Sequence, residues 1–234
     1  MRPMRIKLTS MPRLLSLFGL LLISLMTVAA VPAQPVPDDS RWEESVTAFA
    51  VADRKKSPPG GGVVFVGSSS IRLWSDLETQ LSDAKGIINR GFGGARLSDC
   101  TRYLDRVVFP YAPRLIVVYA GDNDLAEGRE PKEVFNELVR FVERVRKTLP
   151  DTQIKYISIK PSPARAVLLP KVRETNNLIR QFAAAGGPIG FIDVFTPMVD
   201  ATGQPRGELF RADALHLNSA GYKLWATIIA PHVR

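Results

Sequence analysis

Apolar, β-branched runs that alternate with helical segments constrain the fold of this chain most. Residues 115–120 read Leu-Ile-Val-Val-Tyr-Ala, with no polar residue at alternate positions. A strand of this kind is buried on both faces, as in a parallel sheet that helices cover on each side. Runs of similar character predict the other strands, at 63–66, 86–89, 154–159 and 189–194.

Helical segments separate these runs. They are predicted at 41–55, 71–81, 97–108, 131–149, 171–184 and 220–229. The segment 131–149 is the clearest, because Pro131 suits a first helical turn and the apolar residues that follow recur at helical spacing. Strands that alternate with helices build βαβ units with right-handed crossovers. The sequence therefore predicts an α/β protein, a three-layer α/β/α sandwich with about five parallel strands.

The N-terminus has the pattern of a secretory signal. Residues 1–33 contain four Lys or Arg residues and no acid, then an apolar run over 14–30, then Val31-Pro32-Ala33. A small-residue stretch after such a run predicts cleavage after Ala33, or after Ala30, and therefore a periplasmic or secreted protein. An uncleaved membrane anchor is the alternative, since the run is nearly long enough to span a bilayer. No second apolar run is long enough to do so.

Domain organisation follows from the same reading. Residues 1–33 are predicted to be the signal peptide, 34–60 a Pro-rich linker with an N-terminal helix, and 61–234 a single domain. The formal charge of +8 falls to +4 once the four cations of 1–33 are removed. No dense basic tract with interleaved aromatic residues is left, which argues against nucleic acid as a partner. Cys100 is the only cysteine, so an intramolecular disulfide is impossible, and we interpret Cys100 as a packing residue.

Glycine and polar residues follow each predicted strand, at 67–70, 91–94, 121–124, 160–163 and around 195–196. In parallel α/β sheets, ligands bind outside the carboxyl ends of the strands. The sequence therefore predicts a functional site at this edge.

Serine, aspartate and histidine candidates for catalysis occur at or near these positions. Serines 68–70 lie where a strand enters a helix, which either caps the helix or exposes a nucleophile. Asp213 and His216 lie three residues apart ahead of the last helix, so one short turn supplies a base and the group that orients it. Asn123 either forms an Asx-type turn or brings an amide donor to the edge. These residues make an esterase-type serine hydrolase the leading hypothesis.

Four short blocks, in this order, together resemble the SGNH hydrolase superfamily, also called GDSL esterases. They are Phe65-Val-Gly-Ser-Ser69, Asn89-Arg-Gly-Phe-Gly-Gly94, Gly121-Asp-Asn-Asp124 and Asp213-Ala-Leu-His216. The resemblance covers about residues 60–233 and implies a flavodoxin-like fold. One position departs from the family, because Ser68 stands where the first block usually has aspartate, and the local hydrogen bonding of that turn is expected to differ.

The resemblance implies roles for five residues. Ser69 aligns with the nucleophile, His216 with the base and Asp213 with the orienting acid. Gly94, with Gly91 and Gly93 shaping the turn, and Asn123 align with the oxyanion donors.

The implied activity is hydrolysis of an acyl ester, a lysophospholipid or an acetylated glycan through an acyl-enzyme. An acyltransferase on the same site and a catalytically silent binding protein are the alternatives. No cofactor or metal is implied, since two histidines without a partner cluster do not make a standard zinc site. We interpret the second histidine, His232, as a solvated tail residue.

Overall fold

Five short parallel strands form the centre of the computed structural model, which describes residues 39–234. The predicted signal peptide and the linker residues 34–38 lie outside the described residues. The strands are β1 (Val63–Gly67), β2 (Ile87–Gly91), β3 (Leu115–Tyr119), β4 (Gln153–Ile157) and β5 (Gly190–Ile192). Their order is β2-β1-β3-β4-β5, and each neighbouring pair is parallel. The predicted fold class is confirmed, and the order is that of flavodoxin-like sheets.

Helices cover both faces of this sheet. In chain order they are α1 (Glu43–Lys55), α2 (Ser69–Arg72), α3 (Leu77–Gln80), α4 (Leu97–Arg102), α5 (Leu104–Val107), α6 (Asp122–Ala126), α7 (Pro131–Thr148), α8 (Leu169–Ala184) and α9 (Ser219–Val233). None of these helices has the length and apolarity needed to cross a bilayer.

The alternation of side chains along each strand divides the core into two layers. Val64 and Val66 of β1 pack in one cluster, with apolar residues of α1, α4, α5, α7 and α8. Val63 and Phe65 point the other way and pack with α2, α3 and α9, where Trp74 and Trp225 are almost fully buried. Successive strand residues face opposite sides of a sheet, so a strand that is apolar throughout needs a helical layer on each face.

Two predicted helices are broken in the structure. The segment predicted at 71–81 divides into α2 and α3, separated by a turn at Ser75 and Asp76, whose side chains hydrogen-bond each other. Short polar side chains of this kind compete for backbone groups and favour turns over helix interiors. The segment predicted at 97–108 divides into α4 and α5 at Tyr103. The N-terminal helix, predicted from residue 41, begins at Glu43, after a 3₁₀ turn at Asp39–Trp42.

The ends of three strands meet at one point of the sheet edge. Gly67, the last residue of β1, pairs with Gly91 of β2 on one side and with Tyr119 of β3 on the other. Gly67 has φ +154°, and a Cβ atom there would overlap the backbone of Tyr119, so only glycine fits. The chain reverses its direction of winding between β1 and β3, and such a switch point is where flavodoxin-like sheets bind ligands.

Candidate active site

Burial separates Ser69 from the two serines beside it. Ser68 and Ser70 are 0% and 1% exposed, and their hydroxyls have no hydrogen-bond partner among residues 39–234. Ser69 is partly exposed at the first position of α2. Of these three hydroxyls, that of Ser69 is therefore the one that a molecule outside the protein can reach.

A chain of two hydrogen bonds joins Ser69 to the loop ahead of α9. Ser69 Oγ lies 3.0 Å from His216 Nε2, and His216 Nδ1 lies 2.7 Å from Asp213 Oδ2. The structure thus brings together three residues from opposite ends of the domain sequence. The order serine, imidazole, carboxylate is the arrangement that activates a hydroxyl for nucleophilic attack.

The Asp213 carboxylate is held by the turn that it belongs to. Its Oδ1 accepts hydrogen bonds from the backbone N–H groups of Leu215 and His216, at 3.0 and 2.9 Å. The hydrogen bond with the His216 ring, together with these backbone donors, holds the pKa of Asp213 well below its usual range. Ala214 has φ +54°, an unusual conformation for a residue with a side chain, and this tight turn aims the carboxylate and the imidazole at each other.

The loop after β2 carries the predicted glycine donor. Gly94 has φ +77° and is partly exposed. Among the described residues, no acceptor is bonded to the backbone N–H of Gly94 or to that of Ser69. The indole N–H of Trp42 donates to the Gly93 carbonyl at 2.8 Å and anchors this loop to the N-terminal segment. Two backbone donors are therefore left for an oxygen of a bound molecule.

Asn123, in the first turn of α6, connects the segment after β3 to the loop after β2. Its Nδ2 donates to the carbonyl of Ala95 at 3.0 Å, and its Oδ1 accepts from Arg165 Nη2 at 3.0 Å. A side-chain amide nitrogen carries two hydrogens, so one N–H of Asn123 is left after the bond to Ala95. The predicted donors at Gly94 and Asn123 thus lie on loops that are bonded to each other.

A buried ionic cluster lies beside Asn123, and no role was predicted for its members from the sequence. Asp122 Oδ2 lies 3.1 Å from Lys160 Nζ and 3.3 Å from Arg165 Nη1, and Tyr119 donates to the same oxygen at 3.3 Å. Burial opposes the ionisation of Asp122, but Lys160 and Arg165 outweigh it and lower the pKa of this carboxyl. The signal available in the sequence was Lys160 itself, a lysine directly after an apolar strand, since a buried lysine needs a partner.

Asp124 carries a second buried carboxyl group at this edge. Both of its oxygens lie 3.3 Å from the backbone nitrogen of Leu97, where the loop after β2 enters α4. Burial raises the pKa of Asp124 to about 7, with further contributions from the Asp122 and Asp99 charges. Asp124 is therefore protonated in the folded protein over a pH range in which it is ionised in the unfolded chain.

This shift predicts that stability falls as the pH rises. The folded state binds more protons than the unfolded state between the unfolded pKa, about 3.9, and the folded pKa near 7, so the free energy of unfolding decreases across that window. Asp124→Asn, which cannot ionise, should melt several degrees above the wild type at pH 8. This difference in melting temperature should become smaller toward pH 5. Calorimetry checks this, with Asp105→Asn as a surface control. Equal pH dependence in wild type and Asp124→Asn would contradict it.

Two other predicted residues lie away from the site. Cys100 is fully buried, and burial raises the pKa of its thiol well above the usual value, in agreement with a packing role. His232 is partly exposed, but it belongs to a helix and not to a tail as predicted. It lies in the last turn of α9, because that helix continues past Pro231 to Val233, and its carbonyl accepts a hydrogen bond from Lys155. Within residues 39–234, no cluster of His, Cys, Asp and Glu has the make-up of a metal site.

Comparison with known proteins identifies relatives of this arrangement. Residues 60–224 match the family described as GDSL-like lipase/acylhydrolase. The sequence has no significant match among curated proteins. A Streptococcus pneumonia protein provisionally named a platelet activating factor superimposes with a TM-score of 0.72 at 25% identity, over 82% of this chain and 92% of that one.

More distant structures share the fold alone. A GDSL-like lipase from Bacteroides thetaiotaomicron has a TM-score of 0.67 at 21% identity, over 80% of this chain and 96% of that one. A mutant of an acetyl-xylooligosaccharide esterase from Geobacillus Stearmophilus has a TM-score of 0.61 at 13% identity, over 75% and 95% of the two chains.

Proposed function

Since this chain belongs to the GDSL-like lipase/acylhydrolase family and is therefore an ester hydrolase, we propose that it acts through a Ser69–His216–Asp213 triad and an acyl-enzyme. The observation that supports this most directly is the continuous pair of hydrogen bonds from Ser69 Oγ through the His216 ring to Asp213. The exposure of Ser69 between two buried serines supports its choice as the nucleophile.

In the first half of the reaction, Ser69 Oγ attacks the ester carbonyl carbon while its proton passes to His216 Nε2. The carbonyl electron pair moves onto the oxygen, and Asp213 stabilises the imidazolium that forms. The tetrahedral intermediate then collapses. The bond to the alcohol oxygen breaks, that oxygen takes the proton from His216, and the acyl group stays on Ser69.

In the second half, water enters the site from the exposed side of Ser69. The water oxygen attacks the acyl carbon while His216 takes one proton from the water. The bond from that carbon to Ser69 Oγ then breaks, and His216 returns the proton to Ser69. The carboxylic acid leaves and the enzyme is restored. The products are therefore an alcohol and an acid, and no metal or cofactor takes part in these steps.

The negative oxygen of both intermediates needs donors that are already in place. The backbone N–H groups of Ser69 and Gly94 are without an acceptor among the described residues, and Asn123 has one amide N–H left. Fixed donors of this kind cost no reorganisation when charge develops, and removing one typically lowers kcat by about 10²–10³-fold. We assign these three groups to the oxyanion hole.

Small acyl groups on a polar alcohol, such as acetyl esters of a glycan, are the proposed substrates. Among residues 39–234 the exposed large hydrophobic side chains are Val51 and Val167, which is too little to make a groove for a long acyl chain. The esterase whose name includes acetyl-xylooligosaccharide has the same fold.

A substrate panel tests the proposal. It consists of p-nitrophenyl acetate, butyrate, octanoate and dodecanoate, acetylated xylan and lysophosphatidylcholine, assayed with the wild type and with Ser69→Ala. We expect the acetyl esters to give the highest kcat/KM and Ser69→Ala to be inactive on all of them. Preference for dodecanoate or for the lysophospholipid would overturn the assignment of substrate. Product analysis with an added alcohol separates hydrolysis from acyl transfer, which would yield a new ester.

Export is proposed from the N-terminal pattern of four cations, an apolar run and Val31-Pro32-Ala33. Protein recovered from an exporting host should begin near Gln34, as N-terminal sequencing would show. Recovery of residues 1–33 on protein in the membrane fraction would instead indicate a retained anchor.

A further inference from the structure

The segment that follows β4 contacts both halves of the site. It forms a 3₁₀ helix at Pro163–Leu168. The backbone N–H of Ala164 donates to the carbonyl of Ala214, inside the turn that holds Asp213 and His216, at 3.0 Å. The next residue, Arg165, extends the other way and donates to Asn123 Oδ1 at 3.0 Å. One short segment is thus bonded to the turn that carries Asp213 and His216 and to Asn123 of the proposed oxyanion hole.

We propose that Arg165 is a positioning residue that fixes the orientation of the Asn123 amide, so that an N–H and not the oxygen faces the substrate carbonyl. This inference rests on the proposed function, because it gives Asn123 the role of an oxyanion donor.

The physical reason is the near symmetry of an amide group. The oxygen and the nitrogen of an asparagine side chain have almost the same shape, and a half-turn exchanges them. If Asn123 were turned, its oxygen would face the developing oxyanion and repel it. The Arg165 guanidinium carries hydrogen-bond donors and no acceptor. It therefore stabilises only the amide orientation in which Asn123 Oδ1 faces the guanidinium. The Ala95 carbonyl selects the same orientation from the other end of the amide, since it bonds only to Nδ2.

Arg165 is itself held in place by the buried cluster. Its Nη1 lies 3.3 Å from Asp122 Oδ2, the same carboxylate oxygen that Lys160 contacts. The fork of the guanidinium spans the two neighbouring residues Asp122 and Asn123, which a lysine cannot do with a single nitrogen.

A double-mutant cycle tests the route through Asn123. Arg165→Ala should lower kcat on p-nitrophenyl acetate by about 10- to 100-fold, less than the loss of an oxyanion donor, with KM within about 2-fold of the wild type. In an Asn123→Ala background, Arg165→Ala should lower kcat by less than about 3-fold, because the amide that Arg165 orients is already absent. Arg173→Ala is the matched control: Arg173, on α8, donates to the carbonyl of Gly203 and lies over the ring of Phe195, and its replacement should leave kcat unchanged.

Arg165→Lys tests whether a loss of activity in Arg165→Ala comes from misfolding. It keeps a positive charge for Asp122, so its melting temperature should stay near that of the wild type, while its kcat should fall as in Arg165→Ala. Wild-type kcat in Arg165→Lys would overturn the proposal. So would an equal effect of Arg165→Ala with and without Asn123.

An NMR measurement distinguishes failure of this inference from failure of the proposed function. The side-chain N–H₂ resonances of Asn123, identified by their loss in Asn123→Ala, should shift in Arg165→Lys and stay in place in Arg173→Ala. If the wild type hydrolysed no ester, the proposed function would fail, and these resonances would still decide whether Arg165 orders Asn123. Unshifted resonances in Arg165→Lys would refute the positioning role whatever the activity.

Discussion

Replacement of Ser69 by alanine should abolish ester hydrolysis, with kcat falling by about 10⁶-fold, the scale on which losing a nucleophilic serine acts in a serine protease. The reason is that, within residues 39–234, the hydroxyl bonded to His216 Nε2 is that of Ser69. Ser68 and Ser70 flank it in sequence, but their hydroxyls are buried. A fluorophosphonate probe, which reacts with activated serines, should label the wild type and leave Ser69→Ala unlabelled.

Ser68→Ala and Ser70→Ala serve as matched controls for this experiment. Each removes a neighbouring hydroxyl that has no hydrogen-bond partner among the described residues, so both variants should still be labelled. Labelling that persists in Ser69→Ala and disappears in one of the other two would mean that the nucleophile is the neighbouring serine.

Loss of the His216 imidazole should have an effect nearly as large. His216→Ala leaves Ser69 without a group to accept its proton, since the ring nitrogen 3.0 Å away is removed. Asp213→Asn keeps an oxygen for the backbone donors at Leu215 and His216 and should leave the fold intact, but the negative charge that orients and stabilises the imidazolium is lost. We expect kcat to fall by up to about 10⁴-fold in that variant. Steady-state kinetics on p-nitrophenyl acetate measures both effects.

His232→Ala is the control for the imidazole variants. His232 lies in the last turn of α9, where its carbonyl accepts a hydrogen bond from Lys155 of β4, and its replacement should leave kcat unchanged. Loss of activity in His232→Ala together with retained activity in His216→Ala would overturn the proposed mechanism.

The chain pattern alone predicted the centre of the fold. Five apolar runs predicted five parallel strands, and the run over 115–120 matches β3 to within one residue. Pro131 and the apolar spacing after it predicted α7, which ends one residue before the predicted end. These elements can be predicted because a strand buried on both faces is apolar throughout, and a helix that packs on one face repeats its apolar residues at helical spacing. The breaks at Ser75 and Tyr103 were not predicted, because local turns there compete with a helical pattern of similar strength.

The sequence also determined which residues are candidates for the chemistry, because Ser69, Gly94, Asn123, Asp213 and His216 all belong to short blocks at strand ends or turns. Only the tertiary structure decided how they meet: that Ser69 is the exposed serine of three, and that the Asp213–His216 turn reaches it across the sheet edge. Arg165 is the clearest case of what residue order cannot specify. Its contact with Asn123 joins residues that are 42 positions apart in the sequence. The contact exists because parallel strands carry the segments after β3 and β4 to one edge of the sheet, and because Asp122 fixes the guanidinium there.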